Sequence, residues 1–389
     1  MKTFNVGVVG IGDISDVYIR NLQKYPIVKV LACAGRSLVK AQEKAQLHGI
    51  ERPYASAMAL IADPDIDIIL NLTLPAAHAE INLAALQAGK HVYTEKPLAA
   101  TLEEGRAVVA LARARGLTVA SAPDTFLGAR LQTCRKLIDD GVIGEVTAAS
   151  AFVVSHGHEW FHPGPEFFYQ RGGGPLLDIG PYYVTALLSL LGPVKRCSAM
   201  AKKTFSTRTG ESAPLRGKTF PVEVDTHITG NMEFASGAIG TLIASFDVWD
   251  SELPRMEIYG TKGTICIRDI DPLDGPNLFG GSVLLRTAEQ YRWKDLPRRQ
   301  PLPDWIEVSV ERPFAETSHR VNSRGIGLVD MAYAITQQRA ARASGEMALH
   351  SLELMHGLLA SAASGTFYTL QSSCDRPQPL PLDFPASEL

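Results

Sequence analysis

Apolar residues in the first 123 positions form short continuous runs, and the stretches between the runs have the spacing of amphipathic helices. Strands are predicted at residues 4–9, 28–34, 66–70, 92–93 and 117–120, and helices at 14–24, 38–47, 76–88 and 102–115, the last capped by Thr101 and ended by Gly116. Strands that alternate with helices of this length form a parallel sheet with helices on both faces. Residues 1–123 are therefore predicted to fold as a doubly wound α/β domain.

The pattern changes after Pro123, where strands come to dominate. Helices are predicted at residues 128–140, 175–191, 325–342 and 347–364, and strands at 146–154, 222–234, 238–246, 256–260 and 264–268. Glycines between the later strands are typical of antiparallel hairpins. Residues 124–389 are therefore predicted to form an α+β domain on a mostly antiparallel sheet. Residues 269–303, rich in Gly, Pro and Arg, are predicted to be a long surface excursion.

Charge and cysteine content narrow the class of protein. The chain has 389 residues with 38 Lys and Arg against 41 Asp and Glu, and it contains no polybasic run. This balance argues against nucleic-acid binding. Its five cysteines are scattered and never form a CxxC pair, which favours reduced thiols in the cytoplasm. No apolar run suits a membrane span or a signal peptide, so no membrane partner is expected.

The turn after the first predicted strand carries the sequence Gly10-Ile-Gly12-Asp-Ile-Ser15. Gly10 permits a tight turn, and Gly12 lets the backbone approach a pyrophosphate at the start of the next helix. Because this motif follows a strand and opens a helix, it predicts dinucleotide binding; an ordinary tight turn is the alternative. The predicted contacts are Gly10, Ile11, Gly12, Asp13 and Ile14.

The end of the second predicted strand bears on which dinucleotide is used. A carboxylate there would hold the ribose 2′-hydroxyl of NAD, but this chain has Gly35-Arg36-Ser37. Arg36 and Ser37 offer hydrogen-bond donors that suit a 2′-phosphate. The sequence therefore favours NADP as the cofactor, with NAD and a solvated Arg36 as the alternative.

Four motifs in order along the chain resemble the glucose–fructose oxidoreductase / inositol dehydrogenase (Gfo/Idh/MocA) family. They are residues 10–15, Thr73 with His78, Glu95-Lys96-Pro97, and Asp178-Ile-Gly-Pro-Tyr182, and the resemblance covers essentially the whole chain. It implies an NAD(P)-dependent oxidoreductase that acts on a sugar, a polyol or a sugar derivative. It also implies a Rossmann domain followed by a domain with an open sheet, on one face of which homodimers or tetramers form.

The resemblance also implies roles for particular residues. Thr73, Leu74, His78, Glu95 and Lys96 would contact the cofactor, and Lys96 would also reach the substrate, with Pro97 as a candidate cis proline. Asp178 and Tyr182 would act with Lys96 in catalysis, although most relatives have histidine where Tyr182 stands. A phenol beside a lysine is a reasonable acid or base, because a cation about 4 Å away stabilises the phenolate by about 4 kcal/mol at an effective dielectric near 20. Helix capping by Asp178 and packing by Tyr182 remain open.

The segment before Asp178 is rich in histidine and aromatic residues. His156, His158 and His162 could form a metal site, a substrate-contacting loop or a plain surface loop, and no metal is predicted. Trp160, His162 and Arg171 are predicted substrate contacts, together with Asp178 and Tyr182; core packing of the tryptophan and a solvated arginine are the alternatives.

Two other functions remain possible on the same fold. One is a non-catalytic dinucleotide-binding regulator, against which the presence of both Lys96 and Tyr182 argues. The other is an NAD-dependent glycosidase, whose known members are often exported.

Overall fold

The computed structural model describes residues 2–268, 278–290, 304–318 and 321–386. The chain divides into two compact units. The first unit comprises Met1–Gly128, Glu316–Leu352 and Pro377–Leu389, and the second comprises Ala129–Ala315 and Glu353–Arg376. The predicted division into residues 1–123 and 124–389 differs from these units mainly in the two segments that return to the first.

The first unit is built on a six-stranded parallel sheet, as the sequence predicts. Its strands are β1 (Phe4–Val9), β2 (Val28–Ala34), β3 (Arg52–Tyr54), β4 (Ile68–Asn71), β5 (His91–Thr94) and β6 (Val119–Ser121), in the order 3-2-1-4-5-6. Its helices are α1 (Asp13–Leu22), α2 (Leu38–His48), α3 (Ala57–Ile61), α4 (Pro75–Gln87), α5 (Leu102–Arg115) and α9 (Ile326–Gln337), with a 3-10 turn at Thr125–Leu127. The strand order reverses between β1 and β4, which is the switch point where doubly wound sheets bind dinucleotides.

The limits of α5 follow from its terminal residues. Thr101 accepts a hydrogen bond from the N–H of Glu104, and the Glu104 carboxylate accepts one from the N–H of Thr101. Gly116 ends the helix in the left-handed conformation at φ +63°. A capping box and a terminal glycine are local signals, so the predicted ends of this helix are confirmed.

A late segment of the chain completes the first unit. The buried carboxylate of Asp124 accepts hydrogen bonds from the N–H groups of Gly325 (2.8 Å) and Gly327 (3.0 Å) at the start of α9. The N–H of Ser121 donates to the carbonyl of Ala343 at 3.0 Å. Residues more than 200 positions apart thus share one set of hydrogen bonds.

The second unit contains a nine-stranded sheet among its described residues. Its strands, from edge to edge, are β16 (Ile306–Val308), β15 (Val283–Thr287), β14 (Gly263–Ile267), β13 (Met256–Gly260), β7 (Val146–Val154), β12 (Ile239–Ser245), β11 (His227–Phe234), β8 (Val194–Lys202) and β17 (Tyr368–Thr369). Only β7 and β12 pair in parallel within this described sheet, so the prediction of a mostly antiparallel sheet is confirmed. A separate pair joins β9 (Thr207–Thr209) and β10 (Thr219–Pro221).

Part of the predicted surface excursion belongs to this sheet. Strand β15 lies within residues 269–303 and pairs with β14, and Val283 is fully buried. The prediction of a surface excursion is therefore wrong for β15. Its short apolar run lies between segments rich in Gly and Pro, which are typical of loops. Residues 269–277 and 291–303 lie outside the described residues.

The predicted helix over residues 175–191 is two helices in the structure. Helix α7 (Gly174–Asp178) and helix α8 (Gly180–Leu191) are separated at Ile179. Pro181 explains the break, because proline lacks an N–H and its ring would clash with the carbonyl four residues earlier in a continuous helix. Asp178 therefore ends one helix while Tyr182 lies in the first turn of the next.

The remaining helices of the second unit are α6 (Ala129–Asp139) and the second part of α10 (Gly345–Ser364), with 3-10 turns at Pro165–Tyr169 and Ala288–Gln290. Across the residues that the structure describes, no helix combines the length and apolar character needed to cross a membrane.

Candidate active site

The turn after β1 has the geometry of a pyrophosphate-binding turn. Gly10 adopts φ +96°, and a Cβ atom there would lie 2.6 Å from the carbonyl carbon of Leu72. A Cβ atom at Gly12 would meet nothing within 4 Å, and Gly12 begins α1 without a side-chain cap. The first N–H groups of a helix with no side-chain cap suit an anion. A dinucleotide therefore fits this turn, with Asp13 and Ile14 in the first turn of the helix.

The residues after β2 present no carboxylate where the ribose of a dinucleotide would lie. A Cβ atom at Gly35 would lie 2.6 Å from Cδ1 of Ile11, so a carboxylate side chain there would have to displace Ile11. Arg36 is exposed at the start of α2. Ser37 instead caps α2, since its hydroxyl accepts a hydrogen bond from the N–H of Lys40 at 3.5 Å. Of the two predicted donors, Arg36 is thus the side chain without a capping role.

The loop after β4 is tied to the loop after β5 by His78. Its Nδ1 lies 2.6 Å from the carbonyl oxygen of Pro97, and its Nε2 lies 2.9 Å from that of Thr73. The side chain is fully buried, and burial lowers its pKa against the opposing effect of these carbonyls. His78 therefore engages the protein with both ring nitrogens and positions the two loops. Leu74, which follows Thr73 in the loop after β4, is 71% exposed.

Lys96 follows β5 in a segment fixed by Glu95. One carboxylate oxygen of Glu95 accepts a hydrogen bond from the buried Tyr18 hydroxyl at 2.7 Å. The other accepts the backbone N–H of Lys96 at 2.8 Å. The Lys96–Pro97 peptide bond is cis, as the resemblance implied.

Three predicted cofactor segments share one edge of the first sheet. The turn at Gly10, the residues Thr73 and Leu74, and the pair Glu95–Lys96 follow β1, β4 and β5, which are neighbours in the sheet. Since parallel strands end at the same edge, these segments come together, as ligand sites in such sheets require.

In the second unit, the structure pairs Asp178 with His158, which sequence analysis left among several possible roles. The Nε2 atom of His158 lies 3.2 Å from Oδ2 of Asp178, and both side chains are more than 80% buried. The rings of Phe161, Phe168 and Phe246 surround the imidazole, with centroid distances of 5.3, 4.3 and 4.8 Å. The pair is 20 residues apart in sequence, and no local spacing indicates it.

A buried ionic network holds the segment that carries His158. Oε1 of Glu159 lies 2.7 Å from Nη1 of Arg208, and the Tyr169 hydroxyl donates to the other carboxylate oxygen. Arg208 also donates to Asp247 and, at 2.8 Å, to the carbonyl of Phe246. Burial and the bond to Glu159 raise the pKa of Tyr169 well above its usual range. Arg208 therefore anchors both Glu159, next to His158, and Phe246, one of the rings around His158.

The remaining predicted substrate residues differ in exposure. Trp160 is 50% exposed with its ring against Phe161, and Arg171 is exposed. Tyr182 is buried, with 7% of its surface exposed. His162 accepts a hydrogen bond from the N–H of Gly164 at 3.1 Å.

The three histidines of this segment have separate partners. His156 stacks on Trp249 with ring centroids 3.4 Å apart, while His158 contacts Asp178 and His162 contacts Gly164. In the part of the chain that the structure describes, no cluster of three or more potential ligands could hold a metal ion.

Comparison with solved structures supports the same fold. A levoglucosan dehydrogenase in complex with NADH is 22% identical and superposes with a TM-score of 0.78 over 95% of this chain and all of that chain. An NAD-binding oxidoreductase from Klebsiella pneumoniae is 20% identical, with a TM-score of 0.79 over 95% of this chain and all of that one.

Sequence comparison defines the family. Trans-1,2-dihydrobenzene-1,2-diol dehydrogenase of Xenopus laevis is 31% identical over 264 residues, covering 67% of this chain and 74% of the relative. D-xylose dehydrogenase of Paenarthrobacter nicotinovorans is 23% identical over 330 residues, covering 78% and 84%. Residues 4–122 match the model of an oxidoreductase family with an NAD-binding Rossmann fold, and residues 131–266 match the GFO/IDH/MocA C-terminal domain. The chain therefore belongs to the Gfo/Idh/MocA family of NAD-binding oxidoreductases.

Proposed function

We propose that this protein transfers a hydride between a nicotinamide dinucleotide and a hydroxyl-bearing carbon of a sugar, a polyol or a sugar derivative. The observation that carries this proposal is the shared sheet edge, where the glycine turn and Glu95–Lys96 follow neighbouring strands. Relatives named for D-xylose, levoglucosan and 1,5-anhydro-D-fructose support a sugar-like substrate.

The bound dinucleotide would supply the hydride acceptor, and the chain's own residues would prepare the substrate. Lys96 would donate a hydrogen bond to the reacting oxygen and stabilise the charge that develops on it. Tyr182 would move the proton, and Asp178 would orient the reacting groups. Trp160, His162 and Arg171 are our proposed substrate contacts beyond these three.

We propose NADP as the preferred cofactor. Gly35 packs against Ile11 and gives the ribose no carboxylate, while Arg36 is an exposed cation two residues after β2. A guanidinium suits a 2′-phosphate because it offers paired hydrogen-bond donors as well as charge.

Two broader expectations belong to the same proposal. We propose a homodimer or tetramer, which rests on family membership, and light scattering of the purified protein tests it. We propose the cytoplasm as its location, which is supported by five cysteines that are scattered along the chain, form no CxxC pair and are all buried.

The decisive experiment is a turnover screen of the purified protein with NAD⁺ and NADP⁺ against aldoses, polyols and anhydrosugars. The Lys96→Met variant should keep most of its affinity for the dinucleotide, because the cradle around Gly10 is unchanged, but its turnover should fall by about 10²–10³-fold. The matched control is Lys29→Met, which removes an exposed lysine paired with Glu51. Dinucleotide binding without turnover on any substrate would instead favour a regulator, and hydrolysis of glycosides would favour a glycosidase.

A further inference from the structure

The contact between His158 and Asp178 fixes the hydrogen on the imidazole ring. An ionised carboxylate can only accept hydrogen bonds, so Nε2 of His158, 3.2 Å from Oδ2, must carry a hydrogen. In the neutral ring Nδ1 then holds the lone pair. That atom is buried and has no hydrogen-bond partner among the described residues. Its lone pair is therefore available to accept a proton or a hydrogen bond.

We propose that His158 takes up the proton that the substrate loses on oxidation, with Asp178 orienting its ring. The inference rests on the proposed dehydrogenase function. A carboxylate that holds one imidazole nitrogen and leaves the other basic is the arrangement of a general base in many enzymes. Three aromatic rings fix the plane of the imidazole, and the ionic network of Glu159 and Arg208 fixes the adjoining backbone.

The step balances as follows. The C–H bond of the carbinol breaks and its electron pair leaves as hydride for the nicotinamide ring. The O–H bond breaks, its electron pair forms the carbonyl π bond, and the proton forms an N–H bond at Nδ1 of His158. Tyr182, proposed above for the reacting oxygen, passes this proton on and recovers its own O–H. In the reducing direction, His158 returns the proton to the carbonyl oxygen.

The charges around His158 leave Asp178 as its ionic partner. The titratable and charged groups on the elements that carry or contact the ring include Asp178 on α7, Glu166 and Tyr169 on the 3-10 turn of Phe168, and Arg208 and Asp247, together with His156, Glu159 and His162 on the segment of His158 itself. Glu159 and Asp247 both pair with Arg208, and Tyr169 donates to Glu159. Among these described groups, the one that reaches the ring nitrogen is Asp178.

The first test requires no substrate. Protein labelled with [¹⁵N]histidine is titrated by NMR, and the resonances missing in His158→Gln identify His158. We expect the neutral ring to carry its hydrogen on Nε2, and we expect this tautomer preference to be lost in Asp178→Asn. A neutral ring that carries its hydrogen on Nδ1 would overturn the proposal whatever the enzyme turns over.

The second test follows oxidation of D-xylose and levoglucosan, with NADP⁺ and NAD⁺, as a function of pH. His158→Gln should lower kcat by about 10²–10⁴-fold and flatten the acid side of the profile. His158→Phe, which keeps an aromatic ring in the cluster, should do the same if the glutamine variant folds poorly. His227→Gln is the matched control, because both ring nitrogens of His227 have hydroxyl partners, Ser245 and Thr229; its profile should be that of the wild type.

The outcomes separate the two proposals. Turnover that persists in both His158 variants with an unchanged pH profile refutes the role of His158 and leaves the dehydrogenase function standing. No turnover of any sugar in the wild type refutes the proposed function, and the NMR titration still decides whether His158 is a base held by Asp178.

Discussion

Tyr182 and Tyr183 are adjacent buried tyrosines to which we assign different roles. The Tyr183 hydroxyl accepts a hydrogen bond from Arg255 at 2.9 Å, and the residue is fully buried, as befits a core position. Tyr182 lies in the first turn of α8 and is proposed to move the proton. The neighbouring pair therefore allows catalysis to be separated from packing at the scale of one hydroxyl group.

Tyr182→Phe should lower kcat by about 10²–10⁴-fold, because it removes the transferable proton but keeps the ring that packs. Its melting temperature should stay close to that of the wild type. Tyr183→Phe should instead keep turnover and lower the free energy of unfolding by about 1–3 kcal/mol, since the hydrogen bond between Arg255 and the Tyr183 hydroxyl is lost. Steady-state rates and thermal unfolding of both variants check this. A destabilised Tyr182→Phe with normal kcat would make Tyr182 a packing residue.

Arg36 should decide between the two dinucleotides. Charge-assisted hydrogen bonds contribute about 1.5–3 kcal/mol, so Arg36→Ala should weaken NADPH binding by about 10–100-fold and leave NADH binding unchanged. Fluorescence titration of both cofactors measures this, with Arg20→Ala, in the last turn of α1, as the control. Equal or tighter binding of NADH by the wild type contradicts NADP preference, and an unchanged NADPH affinity removes Arg36 from it.

At the scale of elements, the sequence predicts the bounds of a strand or helix where residues adjacent in the chain set those bounds. Strands β1, β2, β7 and β13 have their predicted bounds, since each is an apolar run between clear breaks. Short elements such as β3 and α3 were not predicted, because three to five residues carry little periodicity. The break at Ile179 was not predicted, because a long apolar run favours one continuous helix while Pro181 favours a break.

The candidate site also has parts that the sequence predicts and a part that it does not. The glycine turn and Lys96 are local motifs, and the sequence predicts their place at strand ends. The contact of His158 with Asp178 depends on how a 20-residue segment folds back around Phe168 and Phe246. No spacing rule encodes that contact, so sequence analysis gave Asp178 a partner on its own helix and left His158 among several possibilities.

One buried carboxylate links α10 to the final strand. Oε1 of Glu353 accepts hydrogen bonds from the Tyr368 hydroxyl (3.1 Å) and the N–H of Gln371 (3.0 Å), and Oε2 accepts the N–H of Ser372 (2.6 Å). Burial opposes ionisation, yet these bonds hold the pKa of Glu353 below its usual value of 4.5. The ionised form therefore stabilises the junction between α10 and β17.

Glu353→Gln should lower the free energy of unfolding at neutral pH by about 1–3 kcal/mol, because a charged acceptor of three hydrogen bonds is lost. Since the folded pKa is lowered, the wild-type advantage is fully present above pH 4.5 and declines as the pH falls through the folded value. Urea unfolding at several pH values measures the difference. Glu346→Gln, an exposed position on the same helix, should change stability by less than about 0.5 kcal/mol. A difference between wild type and Glu353→Gln that does not vary with pH would contradict the assigned charge.

At the scale of the whole molecule, neither compact unit is a continuous piece of chain. The first unit takes its sheet from residues 2–128 and its helix α9 from far downstream. Within it, the Asn21 side chain donates to the carbonyls of Asn322 (2.6 Å) and Arg324 (2.9 Å), and Leu352 belongs to the core under the sheet. The dinucleotide-binding unit is therefore completed only after the second unit has been synthesised.

A fragment of residues 1–128 should consequently fail to unfold cooperatively. It would remove the α9 N–H groups that donate to Asp124 and expose the apolar surface that residues 316–352 cover, and exposing that surface to water is costly. Because burial raises the pKa of Asp124, the intact unit should show the opposite pH trend to Glu353, with this carboxyl favouring the folded state as the pH falls.

Joining residues 316–352 to the fragment through a flexible linker should restore a single thermal transition and a shift of that transition by NADP⁺, since a ligand that binds only the folded state stabilises it. Circular dichroism of the two fragments, with and without NADP⁺, tests this directly. A fragment of residues 1–128 that melts cooperatively and responds to NADP⁺ would show that the returning segment is dispensable for the dinucleotide fold.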